Sequence, residues 1–96
     1  MNYSNTQLKV AVKFLAAAQG DIKERLLIAF NGTLHKLNND DFPEDQKEEW
    51  KLIYNALTTR NGKTESVEEI LRELDSEKCV EIAKMICILC FKDCVK

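Results

Sequence analysis

The residues best suited to chemistry in this chain are its four cysteines, Cys79, Cys87, Cys90 and Cys94. Thiolates are the ligands of structural zinc and of iron–sulfur clusters, and nearby thiols can exchange disulfides. The apolar residues around them recur at helical spacing, however, and a helix would hold Cys79 and Cys90 about 16 Å apart. Four ligands on one side of a rod cannot converge on one ion. We therefore expect free thiols that fill space in a reducing compartment.

A cysteine-based metal or redox protein stays open as an alternative. Cys87, Cys90 and Cys94 lie close enough on the predicted helix to supply two or three metal ligands, with another chain completing the set. A thioredoxin-like motif is disfavoured, because Ile88 and Leu89 between the first two thiols lie in mid-helix and no strand precedes them.

Other groups that could carry out catalysis are few. His35 is the single histidine, and its helical wheel places it opposite the apolar stripe of its own helix, on the solvated side and away from the cysteines. The chain has no glycine-rich phosphate loop, no nucleophile elbow and no HExxH motif. We predict that it is not an enzyme, with no catalytic residue and no cofactor.

Six carboxylates cluster where the third predicted helix begins. They lack the alternating oxygen ligands and the central glycine of a calcium loop, and acidic residues are favoured at a helix N-terminus in any case. We predict a solvated face that could dock a basic partner. The cluster consists of Asp40, Asp41, Glu44, Asp45, Glu48 and Glu49.

Charge and composition limit the partners. Fourteen basic and sixteen acidic side chains give a net charge of -2, so no global field draws the protein to phosphate backbones. Nucleic acid is disfavoured, and weak nucleic-acid binding is a second alternative that rests on scattered basic residues. No secretory signal and no apolar stretch of about 20 residues is present, which predicts a cytoplasmic protein that does not contact the membrane.

Residues 1–96 are predicted to form one all-α domain, a bundle of about five helices. Three glycines and one proline leave few breaks, and five segments show apolar residues at helical spacing. Trp50 should be the bulkiest residue of the core. The predicted helices cover about residues 5–19, 21–37, 67–74 and 76–95, with a third helix that starts within residues 40–44 and continues to about residue 59.

The fifth predicted helix is apolar on nearly all sides. An amphipathic surface helix needs only one apolar stripe, so this helix is either central or partly covered by a second copy of the chain. Apolar residues on the polar sides of the first three predicted helices, Val10, Ile28 and Leu52, also favour an interface, and two-fold pairing into a homodimer is the commonest symmetry. The predicted interface residues are Ile82, Met85 and Leu89 on the last helix, with Ile28 and Leu52.

The segment 15–26, followed by Leu34, Leu37, the helix start at 41–43 and Trp50, resembles short hypothetical helical proteins of bacteria and prophages. The resemblance extends over the greater part of the chain. It implies an accessory protein that acts by binding, and it carries over no functional residue. The predicted function is accordingly a non-catalytic interaction or regulatory module that self-associates through its C-terminal helix, with a further protein partner unknown.

Overall fold

A computed structural model describes residues 3–95 of the chain and the side chains of residues 6–92. The helices are α1 (Tyr3–Ala17), α2 (Ile22–Gly32), α3 (Glu44–Thr58), α4 (Val67–Glu73) and α5 (Ser76–Val95). Two short 3-10 turns, Leu34–Lys36 and Asn39–Asp41, connect α2 to α3. A hairpin of β1 (Thr59–Arg60) and β2 (Lys63–Thr64) connects α3 to α4. The predicted all-α fold is confirmed.

Side-chain caps set several of the helix starts. Asp21 Oδ1 accepts a hydrogen bond of 2.9 Å from the Glu24 backbone N–H and begins α2. Ser66 Oγ accepts one of 3.2 Å from the backbone N–H three residues later and begins α4. Asp75 Oδ1 accepts one of 2.8 Å from the Lys78 N–H at the start of α5. These side chains satisfy N–H groups that have no partner within the helix.

The second helix ends earlier than predicted, at Gly32 rather than near residue 37. Thr33 leaves the helical region with φ -139° and ψ -50°, and its hydroxyl donates to the carbonyl of Ala29 at 3.0 Å. Glycine is the weakest helix former besides proline, and a threonine hydroxyl competes for backbone partners. The 3-10 turn that follows still buries Leu34, so the apolar stripe continues without the helix.

The hairpin was not predicted. Asn61 and Gly62 both have positive φ, 54° and 78°, as in the two-residue turn that an Asn-Gly pair forms between antiparallel strands. Strands of two residues are too short to show the alternation of apolar and polar residues by which a strand is predicted. Arg60 clamps the loop by donating two hydrogen bonds, 2.8 Å and 3.0 Å, to the carboxylate of Glu65.

The core lies where α5 packs against α1, α2 and α3, and α1 in turn packs against α2. Trp50 is 3% exposed and stacks on Phe42 with ring centroids 5.2 Å apart, which confirms its predicted place in the core. Tyr54 lies one turn beyond Trp50 on α3 but is exposed, and it forms part of the rim of two recesses.

Candidate interaction surface

Helix α5 has one face in the core and one face open to solvent. The buried face follows the helical repeat, with Ile82, Ile86 and Leu89 each no more than 1% exposed and two cysteines beside them. The three helices packed against α5 cover this face. The remaining faces of α5 are the part of this helix that another molecule can contact.

The predicted contact strip on α5 needs correction. Ile82 and Leu89 are 1% and 0% exposed, so they lie inside the single chain and form no surface, while Met85 packs half-buried against the core. The prediction chose the wrong one of two apolar faces, since a helical wheel does not show which face meets the neighbouring helices. Ile28 on α2 and Leu52 on α3, the other predicted interface residues, are exposed, but neither lines the apolar groove that α5 borders.

The open face of α5 carries three apolar side chains that the sequence analysis did not assign to the interface. Phe91 is 70% exposed, Ile88 52% and Val80 41%. Exposed apolar residues scattered singly are ordinary, but these three lie on one side of one helix and border one groove. We call the groove and these side chains the α1–α5 surface.

The groove between α1 and α5 has a volume of about 410 Å³. Among the described residues that line it, Lys84 alone is charged. Ala16 and Ala83 are part of the wall, and side chains this short leave the space that makes a recess. The full lining consists of Val12, Leu15, Ala16 and Ile22 from the first two helices and of Val80, Ala83, Lys84, Cys87, Ile88 and Phe91 from α5.

One signal in the sequence could have found this surface. Ile82, Ile86 and Leu89 follow the i, i+4, i+7 pattern of a core stripe, and Ile86 was not assigned to any face. Once that stripe is placed inward, Ile88 and Phe91 must lie on the other side of α5.

The described cysteine side chains differ in how deeply they are buried. Cys79 and Cys90 are buried, Cys87 is half-buried in the groove wall, and the side chain of Cys94 lies outside the described residues. Burial raises the pKa of the Cys79 thiol, although the charge of Lys23 acts in the opposite direction. Burial also raises the pKa of Cys87. Raised pKa values disfavour the thiolate, which is the reactive and metal-binding form.

Metal ligands do not gather in the described part of the chain, where no group of three or more histidine, cysteine, aspartate or glutamate side chains is placed to hold an ion.

We expect the described thiols to react slowly with alkylating reagents. In a Cys94→Ser background, Cys79, Cys87 and Cys90 should be modified more slowly near pH 8 than cysteine in the unfolded chain, where the thiol pKa is about 8.5. Because the folded pKa values of Cys79 and Cys87 are raised, the unfolded chain loses its thiol protons first. The free energy of unfolding should therefore fall as the pH rises above that value. Timed iodoacetamide labelling with mass spectrometry measures the rates.

A fast-reacting thiol at neutral pH in that background, or bound metal in freshly purified protein, would instead support the thiol or metal alternative.

The other candidate groups serve the fold. His35 is exposed, and its Nδ1 donates to the carbonyl of Phe30 at 3.0 Å. Within the acidic cluster, Asp41 Oδ2 accepts from the backbone N–H of Asn38 at 2.8 Å. Two further carboxylates of the cluster pair with lysines: Glu44 with Lys47, and Glu49 with Lys92 on α5. Part of the cluster is thus committed to local structure.

Two other recesses flank Tyr54, with volumes of about 280 and 570 Å³. Their rims include amide and hydroxyl side chains such as Asn38 and Thr59. Water can form hydrogen bonds with polar rims of this kind, but it cannot do so with the apolar side chains of the α1–α5 surface. The α1–α5 surface is therefore the strongest candidate for contact with another molecule.

Comparison with family models, curated proteins and solved structures finds no match to this chain. In the part of the chain that the structure describes, no helix has the length and apolar character needed to cross a membrane.

Proposed function

We propose that this protein is a non-catalytic interaction or regulatory module that self-associates through the α1–α5 surface. The observation that carries the proposal is the exposure of Val80, Ile88 and Phe91 along one side of α5, beside an apolar groove. A contiguous apolar patch on a soluble domain marks a contact site more often than a scattered apolar residue does.

The free energy favours covering this surface. Complete burial of a large apolar side chain is worth about 1.5–3 kcal/mol, and a two-fold contact buries the same residue on both copies. Phe91 and Ile88 are more than half exposed, so much of that gain is still available. Association has its own entropic cost, which an aromatic anchor in a recess is well suited to offset.

A second copy of the chain is the proposed occupant, because the surface carries both a projecting group and a recess. Phe91 projects from one end of α5, and the groove beside it is lined by the small side chain of Ala83. The open side of α5 also carries charges of both signs, Glu81 and Lys84, so it has no single-sign field that would select an acidic or a basic partner. A further protein partner would then bind the dimer elsewhere.

A reducing, cytoplasmic location fits the thiols. Cys79, Cys87 and Cys90 form no disulfide in the described structure, and Cys79 and Cys90 are buried in the core. Cysteines used as small apolar residues are typical of compartments that keep thiols reduced.

The test is the mass of the protein in solution over a concentration series. Wild-type protein should form a dimer, and Phe91→Asp should weaken it at least about tenfold, because a carboxylate would have to be desolvated in an apolar contact. Leu52→Asp is the matched control, since Leu52 is 58% exposed on α3 and does not line the groove. It should leave the dimer unchanged.

A wild-type protein that stays monomeric at high concentration would overturn the proposal. Equal weakening by both aspartate substitutions would also overturn it, since the surface would then have no special role.

A further inference from the structure

We infer that the two copies pack with their α5 helices antiparallel, so that each copy contributes Phe91 to the groove of the other and pairs its Glu81 with the partner's Lys92. This arrangement rests on the proposed self-association and specifies what completes the surface. It follows from how charges and bulky groups are placed along α5.

Parallel α5 helices related by a two-fold axis along the helices would set identical residues against each other. Lys84 would then face the partner's Lys84, and Glu81 would face the partner's Glu81. Both side chains are exposed on α5, with Glu81 67% exposed. Like charges opposed at an interface are repulsive, and Phe91 would meet the partner's Phe91 rather than a recess. The parallel arrangement is therefore disfavoured by two like-charge contacts, and it leaves the recess unfilled.

Antiparallel α5 helices bring unlike groups together instead. In an α-helix, Lys84 and Phe91 are about 10 Å apart along the axis, and Glu81 and Lys92 are about 16 Å apart. Both pairs are centred close to Cys87, so one two-fold axis beside Cys87 places Lys84 against the partner's Phe91 and Glu81 against the partner's Lys92.

The contacts formed in this register suit the side chains. Phe91 enters the partner's recess beside Ala83, and the ammonium group of Lys84 can lie over the face of that ring as a cation–π contact. Lys84 is the charged residue of the groove lining, so the register gives it a partner that the single chain does not supply there. The apolar centre is then bordered on each side by an ion pair, as in many protein interfaces.

The two charges at the border remain available for a partner. Glu81 lies 3.7 Å from Lys78, and both side chains are largely exposed. Lys92 pairs with Glu49 on α3 while its side chain stays 50% exposed. An ammonium group has three donors, so Lys92 can bond a second carboxylate without leaving the first.

Charge reversal tests the register. Glu81→Lys places lysine against lysine twice in its own dimer, and Lys92→Glu places glutamate against glutamate twice. Each variant alone should dimerise about tenfold more weakly than wild type at low ionic strength. An equimolar mixture of the two should form a heterodimer close to wild-type affinity, because both unlike pairs are then restored.

Two controls isolate the interface effect. Glu68→Lys reverses an exposed charge on α4, away from the groove, and should leave dimerisation unchanged. Thermal unfolding of each variant shows whether Lys92→Glu damages the fold by opposing Glu49. If that variant does not fold, carbodiimide cross-linking of mixed ¹⁴N and ¹⁵N wild-type protein gives the same information. It should join Glu81 of one copy to Lys92 of the other.

The outcomes separate the two proposals. One outcome is that Phe91→Asp disrupts the wild-type dimer but mixing the two charge-reversed variants does not restore dimerisation. That outcome would overturn the antiparallel register and keep the self-association. Cross-links from Glu81 to the partner's Lys84 would likewise overturn the register. A wild-type monomer would overturn both proposals.

Discussion

Replacement of Ile86 by alanine is expected to lower the free energy of unfolding by about 3–4 kcal/mol, the largest single effect predicted for this chain. Ile86 is fully buried on the core face of α5, where that helix meets α1, α2 and α3. Truncation removes three carbon atoms and leaves a cavity that packed helices close only in part. In a domain of this size the loss is a large fraction of the total stability.

Urea unfolding followed by circular dichroism measures this effect. Ile28→Ala is the matched control, because Ile28 is 41% exposed on α2 and alanine is a good helix former. It should change the free energy of unfolding by no more than about 0.5 kcal/mol. Both variants should keep the wild-type dependence on urea concentration, since the surface exposed on unfolding hardly changes. A similar small effect at both positions would contradict the assignment of the core face.

Replacement of Gln46 by methionine is expected to stabilise the protein by about 1–2 kcal/mol. Gln46 is 1% exposed, and neither its Oε1 nor its Nε2 has a hydrogen-bond partner in the described structure. A buried amide without partners has lost its hydration and gained nothing in exchange. Methionine keeps the length and the flexibility of glutamine and brings no polar atoms that need a partner.

Thermal and urea unfolding of Gln46→Met should both show the gain. Gln19→Met tests whether methionine stabilises irrespective of its surroundings, because Gln19 is exposed after α1 and should respond within about 0.5 kcal/mol. A loss of stability in Gln46→Met would contradict the prediction and show that the amide is satisfied in solution, by a bound water for instance.

The helix starts could be predicted from the sequence because their causes are local. Asp21 and Ser66 each bond a backbone N–H three residues later, and that spacing is visible in the sequence. Trp50 was also placed correctly, since it lies on the only apolar stripe of α3. Five helices and one core follow from such signals and from the scarcity of glycine and proline.

The features that were missed depend on groups distant in sequence or on very short elements. Gly32 ends α2, and a Cβ atom there would come within 2.9 Å of the ring of Phe14, which belongs to another helix. The hairpin at Asn61 and Gly62 contains too few residues for alternation, although the Asn-Gly pair itself is a turn signal.

The candidate surface could be predicted only in part. The sequence showed that α5 has two apolar faces, and a contact through this helix was the correct consequence to consider. It did not show which face the other helices cover, because that depends on how α1 and α3 approach α5. The chosen strip therefore contained the core residues Ile82 and Leu89 instead of Ile88 and Phe91.

The close packing of α1 against α5 joins two helices that lie far apart in the sequence, and α5 is synthesised after α1. When α1 leaves the ribosome, the helix that covers much of its apolar side has not yet been made, and α2 is the neighbour at hand. Leu8, Ala11 and Leu15 are completely or almost completely buried in the finished protein. A nascent chain stalled before α5 would therefore expose this apolar side of α1 to chaperones and proteases.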